Sequence, residues 1–122
     1  MRTISTLLVE DETLIRMMLA EIVEDHLGHL NISEAANIEA AMSLAETQSF
    51  DLALLDINIA GSLITPVVHV LDKRGVPIVF VSGYTEQTMP AELKGRLFVG
   101  KPFSQDALLN AINHAIGPAP TA

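Results

Sequence analysis

An apolar run that ends on a carboxylate lies near the middle of this sequence. Residues 52–55 read Leu-Ala-Leu-Leu, and Asp56 follows them directly. A short, continuous apolar run is typical of a strand that is buried on both faces, as in a parallel sheet covered by helices. Such a strand places the next residue at the carboxyl edge of the sheet, where open α/β proteins bind ligands. The alternative is that Asp56 is a loop or helix-capping aspartate, so the rest of the chain must decide between the two.

Length and composition narrow the class of protein. The 122 residues suit one domain, which we expect to span residues 1–117 and to be followed by a short tail at residues 118–122. No apolar run reaches the roughly eighteen residues of a membrane span, and no signal-peptide pattern is present, so we expect a cytoplasmic protein that does not contact a membrane. The absence of cysteine excludes disulfides and thiolate metal sites. A net charge of −8 argues against nucleic acid as a partner and favours a cation or a basic protein.

Hydrophobic periodicity and turn residues divide the chain into alternating strands and helices. Besides the central run, strands are predicted at residues 4–9, 31–36, 76–81 and 97–99. Helices are predicted at residues 12–27, 38–48, 65–74 and 104–116, with Gly28 ending the first and with Asn37 and Ser104 capping the second and the last. Residues 59–64 are predicted to form a loop. Pro90 interrupts residues 85–94, so we expect the fourth helix to be short or mobile.

This alternation predicts an α/β fold with a doubly wound, five-stranded parallel sheet and right-handed crossovers. A flavodoxin-like strand order, 2-1-3-4-5, is the common solution for five strands. In that order, the carboxyl ends of strands one, three, four and five are neighbours. Polar residues follow those four ends: Glu10, Asp11, Asp56, Ser82 and Lys101.

Carboxylates that meet at one edge raise one another's pKa, and a cation makes the arrangement tolerable. Oxygen ligands suit a hard divalent ion, and Mg²⁺, which keeps several waters, fits better than Ca²⁺. A transition metal is disfavoured because no histidine lies at a predicted strand end. The histidines are therefore given no role: His26, His29, His69 and His114.

A carboxylate beside Mg²⁺ can also act as a nucleophile and form an acyl phosphate. Lys101 would place a positive charge on the phosphoryl oxygens, and the Ser82 hydroxyl would donate a hydrogen bond to them. Each residue has a simpler interpretation alone, since Ser82 could be a turn residue and Lys101 a surface lysine. Their convergence with the acids favours a phosphoryl site around Asp56.

Four motifs resemble the receiver domain of response regulators in two-component signalling, and the resemblance covers essentially the whole chain. They are the acidic pair in Leu8-Val9-Glu10-Asp11-Glu12, the acceptor in Leu54-Leu55-Asp56, the hydroxyl in Phe80-Val81-Ser82-Gly83, and the lysine in Val99-Gly100-Lys101-Pro102-Phe103. The resemblance implies that Asp56 accepts a phosphoryl group from a histidine-kinase phosphohistidine.

The same resemblance implies the remaining roles at the site. Asp11 would bind Mg²⁺ directly, Glu10 would bind it through water, and the backbone carbonyl of Asn58 would join Asp56 among the ligands. Phe98 occupies the place of a switch aromatic whose rotamer follows the Ser82 hydroxyl; core packing on a short strand is the alternative. The Lys101–Pro102 peptide bond would be cis, as the lower cis penalty of proline allows.

Some positions differ from the commonest pattern of the family. Ala60 stands where many receivers have proline. Residues 77–84 resemble a subclass with a Phe-Ala-Thr-Gly-Tyr-like signature, often paired with His-Trp-Glu-type kinases in alphaproteobacteria, with Val81 and Ser82 replacing Ala and Thr. Tyr84 and the side chain of Asn58 border the path of hydrolytic water in receivers. We hypothesise that the Tyr84 ring shields the acyl phosphate; a half-exposed loop aromatic is the alternative.

The sequence thus predicts a single-domain response regulator that is a signalling protein and not an enzyme, with self-catalysed phosphotransfer and autodephosphorylation. It would take its phosphoryl group from a sensor histidine kinase or a histidine phosphotransfer protein. With no output domain expected after Gly117, it would signal through a downstream protein as a relay intermediate or a phosphate sink. One alternative is a small Mg²⁺-dependent phosphatase, which Asn58 weakens because a second acid is needed near Asp56. The other alternative is a flavodoxin-like protein that binds a cofactor. Such a protein would have a phosphate-binding loop after the first strand, where this sequence has acids.

Overall fold

The computed structural model of this chain describes residues 3–27, 30–85 and 87–117, and two predictions, the helix end at Gly28 and the tail at residues 118–122, lie outside them. In chain order, the elements are β1 (Ile4–Val9), α1 (Thr13–Leu27), β2 (Leu30–Ala35), α2 (Ile38–Thr47), β3 (Leu52–Leu55), β4 (Asn58–Ile59), β5 (Ser62–Leu63), α3 (Thr65–Lys73), β6 (Ile78–Ser82), a 3-10 turn (Ala91–Leu93), β7 (Phe98–Gly100) and α4 (Gln105–Ile116). No helix within those described ranges is long and apolar enough to span a membrane.

The central sheet has five strands in the order β2-β1-β3-β6-β7, and all of its pairings are parallel. When only the strands of this sheet are counted, the order is 2-1-3-4-5. The flavodoxin-like prediction is therefore confirmed. The caps of α2 and α4 also follow the prediction, because Asn37 accepts a hydrogen bond from the Ala40 N–H and Ser104 accepts one from the Ala107 N–H.

Apolar cores lie on both faces of the sheet, which explains the continuous apolar run of β3. Leu7 and Leu55 point into the core that α2 and α3 cover, whereas Leu8 and Leu54 point into the core that α1 and α4 cover. All four residues of β3 are buried. A strand with water on one face would alternate apolar and polar residues, and this strand does not.

The predicted loop at residues 59–64 is wrong in part, because residues 58–63 form an antiparallel hairpin of two very short strands, β4 and β5. Ala60 and Gly61 form its two-residue turn, and both have positive φ, which matches the twist that a hairpin requires. Strands of two residues are too short to leave a periodic pattern in the sequence, so the hairpin could not be predicted from periodicity.

The connection between β6 and β7, here called the connecting segment, covers residues 83–97 and contains the region where a short or mobile fourth helix is predicted. Among its described residues, the helical part is limited to the 3-10 turn at Ala91–Leu93, directly after Pro90. The fourth helix is therefore short, as predicted. Met89 and Leu93 are buried against the core beneath α2 and α3. Polar contacts between this segment and α3 lie at its surface.

Candidate functional site

Four strand ends of the sheet lie side by side and carry the polar residues that the sequence singles out. Val9 of β1 is in register with Leu55 of β3, so Glu10 and Asp56 leave the sheet at the same level. The Asp56 N–H donates to the Val9 carbonyl at 3.0 Å, which fixes the acceptor strand against β1 beyond its last pair. On the other side, the Lys101 N–H donates to the Ser82 carbonyl at 2.9 Å.

Three carboxylates form the centre of the site. Glu10, Asp11 and Asp56 each offer an oxygen atom, and these atoms all lie within 4.8 Å of one another. Glu10 and Asp56 are 1% and 9% exposed, whereas Asp11 is half-buried. An all-oxygen set with one side open to solvent fits a hard divalent cation that keeps some of its water, as Mg²⁺ does.

The Lys101 ammonium bridges two of these carboxylates. Its Nζ lies 2.5 Å from Glu10 Oε1 and 2.8 Å from Asp56 Oδ2. Burial alone would lower the pKa of Lys101, but hydrogen bonds to Asp56 and Glu10 raise it above its ordinary value. Lys101 is therefore held as a cation beside the acceptor carboxylate.

Glu10 is the most deeply buried acid of the cluster. Burial raises its pKa above the ordinary value, although the hydrogen bonds from Lys101 and from the Glu12 N–H act in the opposite direction. The Arg16 guanidinium donates from Nη1 to the Glu10 carbonyl at 2.8 Å and from Nε to Glu34 at 3.0 Å. Arg16 thereby ties the end of β1 to β2 and places α1 over this edge.

Asp11 is connected to the hairpin. Its Oδ2 accepts a hydrogen bond from the Ala60 N–H at 3.0 Å. Burial raises the pKa of Asp11, but hydrogen bonds, with that from Ala60 the largest, bring it below its ordinary value. The carboxylate therefore stays ionised and suited to a cation.

Ser82 is fully buried at the end of β6, and its Oγ accepts a long hydrogen bond of 3.4 Å from the Tyr84 N–H. Phe98 is half-buried and lies directly opposite Phe80, two residues before the level of Ser82 in the strand pairing. Side chains two residues apart on a strand share a face, so Ser82 and Phe98 lie on the same face of the sheet. The Lys101–Pro102 peptide bond is cis, as the family resemblance implies.

Asn58 and Tyr84 meet above the edge. The Asn58 Nδ2 donates to the Tyr84 hydroxyl at 3.3 Å, and its Oδ1 accepts from the Gly61 N–H at 3.0 Å. One side chain thus joins the hairpin to the loop that follows β6. The family resemblance places both residues beside the path of hydrolytic water, and the structure adds a direct hydrogen bond between them.

Sequence reasoning missed two contributors to the site. Arg16 left no signal, because it reaches the site through the backbone carbonyl of Glu10, and helix spacing alone does not show which carbonyl a side chain reaches. Ala60 does carry a signal in the sequence, because a residue with an N–H where many receivers have proline can donate a hydrogen bond there.

The profile of one protein family, described as the response regulator receiver domain, matches residues 6–113 of this chain. The chain belongs to the response regulator receiver family. This membership confirms the predicted family and identifies the protein as a receiver of bacterial two-component signalling.

Known proteins resemble this receiver over most of its length. The transcriptional regulatory protein PdtaR of Mycobacterium tuberculosis is 31% identical over 114 residues, which cover 90% of this chain and 55% of PdtaR. SdrG from Sphingomonas melonis Fr1 superimposes with a TM-score of 0.81 at 30% identity, covering 94% of this chain and 98% of SdrG. The PhyR receiver domain of Erythrobacter litoralis gives 0.80 at 30% identity, covering 98% of this chain and 96% of that one. The receiver spans about half the length of the curated relatives that it matches.

Family membership supports phosphoacceptor signalling as the general function and does not favour the phosphatase alternative. Receivers typically bind Mg²⁺ at an acidic pocket, and the cluster of Glu10, Asp11 and Asp56 has the donor atoms for it. The pairing with His-Trp-Glu-type kinases stays a prediction.

Proposed function

We propose that this receiver accepts a phosphoryl group on Asp56 from the phosphohistidine of a sensor histidine kinase or a histidine phosphotransfer protein. The observation that carries the proposal is the position of Asp56 Oδ2, 2.8 Å from the Lys101 ammonium and within the carboxylate cluster. A carboxylate oxygen of Asp56 attacks phosphorus, the O–P bond forms as the N–P bond breaks, and the imidazole leaves with the electron pair. Lys101 offsets the charge that develops on the phosphoryl oxygens.

Mg²⁺ is the proposed cofactor. The carboxylates of Glu10, Asp11 and Asp56 and the backbone carbonyl of Asn58 would hold it, with Glu10 acting through water. When bound, the ion supplies further positive charge to the phosphoryl oxygens. The buried Glu10 carboxylate also accepts a hydrogen bond from the Lys101 ammonium. Lys101 therefore keeps one carboxylate partner when Asp56 carries the phosphoryl group.

The phosphorylated state is read, on this proposal, through Ser82 and Phe98. Phosphorylation adds about 1.5 to 2 negative charges next to Lys101. The Ser82 hydroxyl turns to donate a hydrogen bond to a phosphoryl oxygen, and the change continues along the shared sheet face to Phe98. Phe98 follows directly on the connecting segment, so a rotamer change there alters the surface that this segment presents.

We propose that the output is protein–protein contact in the cytoplasm, without nucleic acid or membrane. As a single-domain regulator, the protein would act as a relay intermediate or a phosphate sink, and a kinase of the His-Trp-Glu type would be its donor. Phosphotransfer profiling against purified kinases tests the donor. We expect faster transfer from kinases of this type than from others, and a preference for another type would reject this donor.

The exposed face of α1 is the proposed docking surface for the phosphodonor. Leu14, Met17 and Met18 are 75%, 58% and 52% exposed at helical spacing on α1, which begins two residues after Asp11. Exposed acids, Glu12 and Glu21, border this apolar patch, so it fits a donor helix with an apolar face and a basic rim. Leu14→Asp is expected to slow transfer from the cognate kinase at least tenfold and to leave labelling by acetyl phosphate unchanged.

Hydrolysis of the acyl phosphate returns Asp56 and releases inorganic phosphate, and we propose that Tyr84 limits this reaction. Its hydroxyl bonds to Asn58 at 3.3 Å, which holds the ring at the edge of the site. Tyr84→Ala is expected to accelerate the decay of the phosphorylated protein, because water gains access. Tyr84→Phe keeps the ring and should decay at an intermediate rate; an unchanged or slower decay of the alanine variant would reject the shielding role.

Labelling by acetyl phosphate tests the central proposal without a kinase. The parent protein should incorporate phosphate in Mg²⁺ and lose most of that incorporation in EDTA. Asp56→Asn should abolish labelling, because the amide cannot attack phosphorus. Asp25→Asn, which alters an exposed aspartate on α1, is the matched control and should label like the parent. Undiminished labelling of Asp56→Asn would refute Asp56 as the acceptor.

A further inference from the structure

The hairpin after the acceptor has an uncommon turn. Ala60 and Gly61 have φ values of 50° and 87°, so both turn residues are in the left-handed region. Glycine adopts this region freely, whereas alanine carries a steric cost there. The conformation of Ala60 is therefore kept by contacts of its backbone and not by its own preference.

Two hydrogen bonds outside the pairing of β4 with β5 add to the stability of the hairpin. The Gly61 N–H donates to Asn58 Oδ1 at 3.0 Å, and the Ile64 N–H donates to the Ile57 carbonyl at 2.8 Å. Ile57 and Ile64 are fully buried, so the base of the hairpin is anchored in the core. The turn is thus presented at a fixed place beside the carboxylate cluster.

The Ala60 N–H leaves the hairpin and reaches Asp11. It donates to Asp11 Oδ2 at 3.0 Å and joins two parts of the chain that are 49 residues apart. Asp11 is the least buried carboxylate of the cluster, so few packing contacts fix its orientation. The hydrogen bond from Ala60 supplies that orientation and leaves further lone pairs of the carboxylate for a cation.

We propose that the backbone N–H of Ala60 is the positioning group for the metal-binding carboxylate of Asp11, so that the hairpin sets the affinity of the site for Mg²⁺. This inference rests on the proposed function, because it takes the cluster as a Mg²⁺ site. Groups that hydrogen-bond to metal-ligating carboxylates hold them in the productive orientation, and their removal typically costs about 10–100-fold in metal affinity.

The residue type at this position decides whether the contact can exist. Proline, which many receivers have here, could supply neither the N–H nor a positive φ. Glycine could supply both. The contact with Asp11 therefore requires a residue other than proline at position 60, and it is specific to receivers with such a turn.

The test removes one N–H at a time. Replacing Ala60 with lactic acid changes the amide to an ester, which keeps the methyl group but deletes the donor to Asp11. The same ester at Gly61, made with glycolic acid, deletes the donor to Asn58 and leaves the contact with Asp11 intact. Mg²⁺ affinity is measured by calorimetric titration, and hence independently of phosphorylation.

We expect the Ala60 ester to bind Mg²⁺ about tenfold more weakly than the parent. The Gly61 ester should bind Mg²⁺ like the parent, since it keeps the N–H at position 60. Equal affinity of the Ala60 ester and the parent would overturn the proposal, and so would an equal loss in both esters, which would assign the effect to hairpin order. If the parent itself binds no Mg²⁺, the metal site of the proposed function fails instead.

Discussion

Two of the cation–carboxylate contacts in this domain have similar lengths but very different surroundings. Lys101 lies 2.8 Å from Asp56 with side chains 18% and 11% exposed, whereas Arg96 lies 2.6 Å from Asp72 with side chains 31% and 41% exposed. The first lies at the carboxyl edge of the sheet, and the second ties the connecting segment to α3. Distance does not distinguish them, but access of water does.

Burial changes what each pair contributes. A buried ion pair adds little net stability over apolar packing, but removal of one partner leaves a charge that neither water nor protein satisfies. An exposed pair is largely screened, and its loss is compensated by solvent. We therefore expect the acidic edge to respond strongly to single substitutions, and the connecting segment to depend on its apolar anchors.

The largest expected effect follows from Lys101→Met. This change leaves the Glu10 and Asp56 carboxylates without their cation and is expected to lower the free energy of unfolding at pH 7 by about 3–5 kcal/mol. Lys94→Met, which removes an exposed lysine of the connecting segment, should change it by less than about 0.5 kcal/mol. Urea denaturation of the parent and both variants measures these changes in the free energy of unfolding.

The pH dependence of that loss sharpens the comparison. The pKa of Lys101 is raised, so its stabilisation is fully present below its ordinary pKa of 10.5 and is lost only as the pH rises through the folded-state value. Without Lys101, the pKa of the buried Glu10 rises further, because the hydrogen bond that lowers it is gone. Protonation then relieves the repulsion, so the loss should shrink between pH 7 and pH 5. An equal loss at both pH values would show that packing, and not charge, causes it.

A second prediction concerns what holds the connecting segment. Leu93 is 1% exposed and packs in the core beneath α2 and α3. Leu93→Ala should lower the free energy of unfolding by about 2–4 kcal/mol, since it removes buried methyl groups and leaves a cavity. Hydrogen exchange should also quicken at the N–H of Leu93, which donates to the Pro90 carbonyl at 2.9 Å. A loss no greater than that of an exposed leucine, tested with Leu63→Ala, would show that the anchor is unimportant.

The sequence made the buried edge predictable because side-chain types mark it. Asp56 and Lys101 each follow a strand, and parallel topology brings such residues together. The hydrogen bond from Ala60 to Asp11 was not predictable in the same way, because every residue except proline has an N–H and only the turn conformation directs it. The short 3-10 turn after Pro90 lies between these cases: proline predicted the interruption, but the contacts of Leu93 decided which residues form it.

The smallest expected effect is that of Asp72→Asn. The hydrogen bonds from Arg96 lower the pKa of Asp72, so the contribution of this pair is present above the ordinary pKa of 3.8 and is lost as the pH falls through the folded-state value. Because both side chains are partly exposed, the variant should lose only about 0.5 kcal/mol at neutral pH and nothing at a pH below both values. This loss is measured by thermal unfolding of the parent and the variant at neutral pH. The measurement is repeated in about 1 M salt, which screens the attraction between exposed charges. A loss as large as that of Lys101→Met, or one unaffected by salt, would mean that the short contact distance and not burial sets the strength of these pairs.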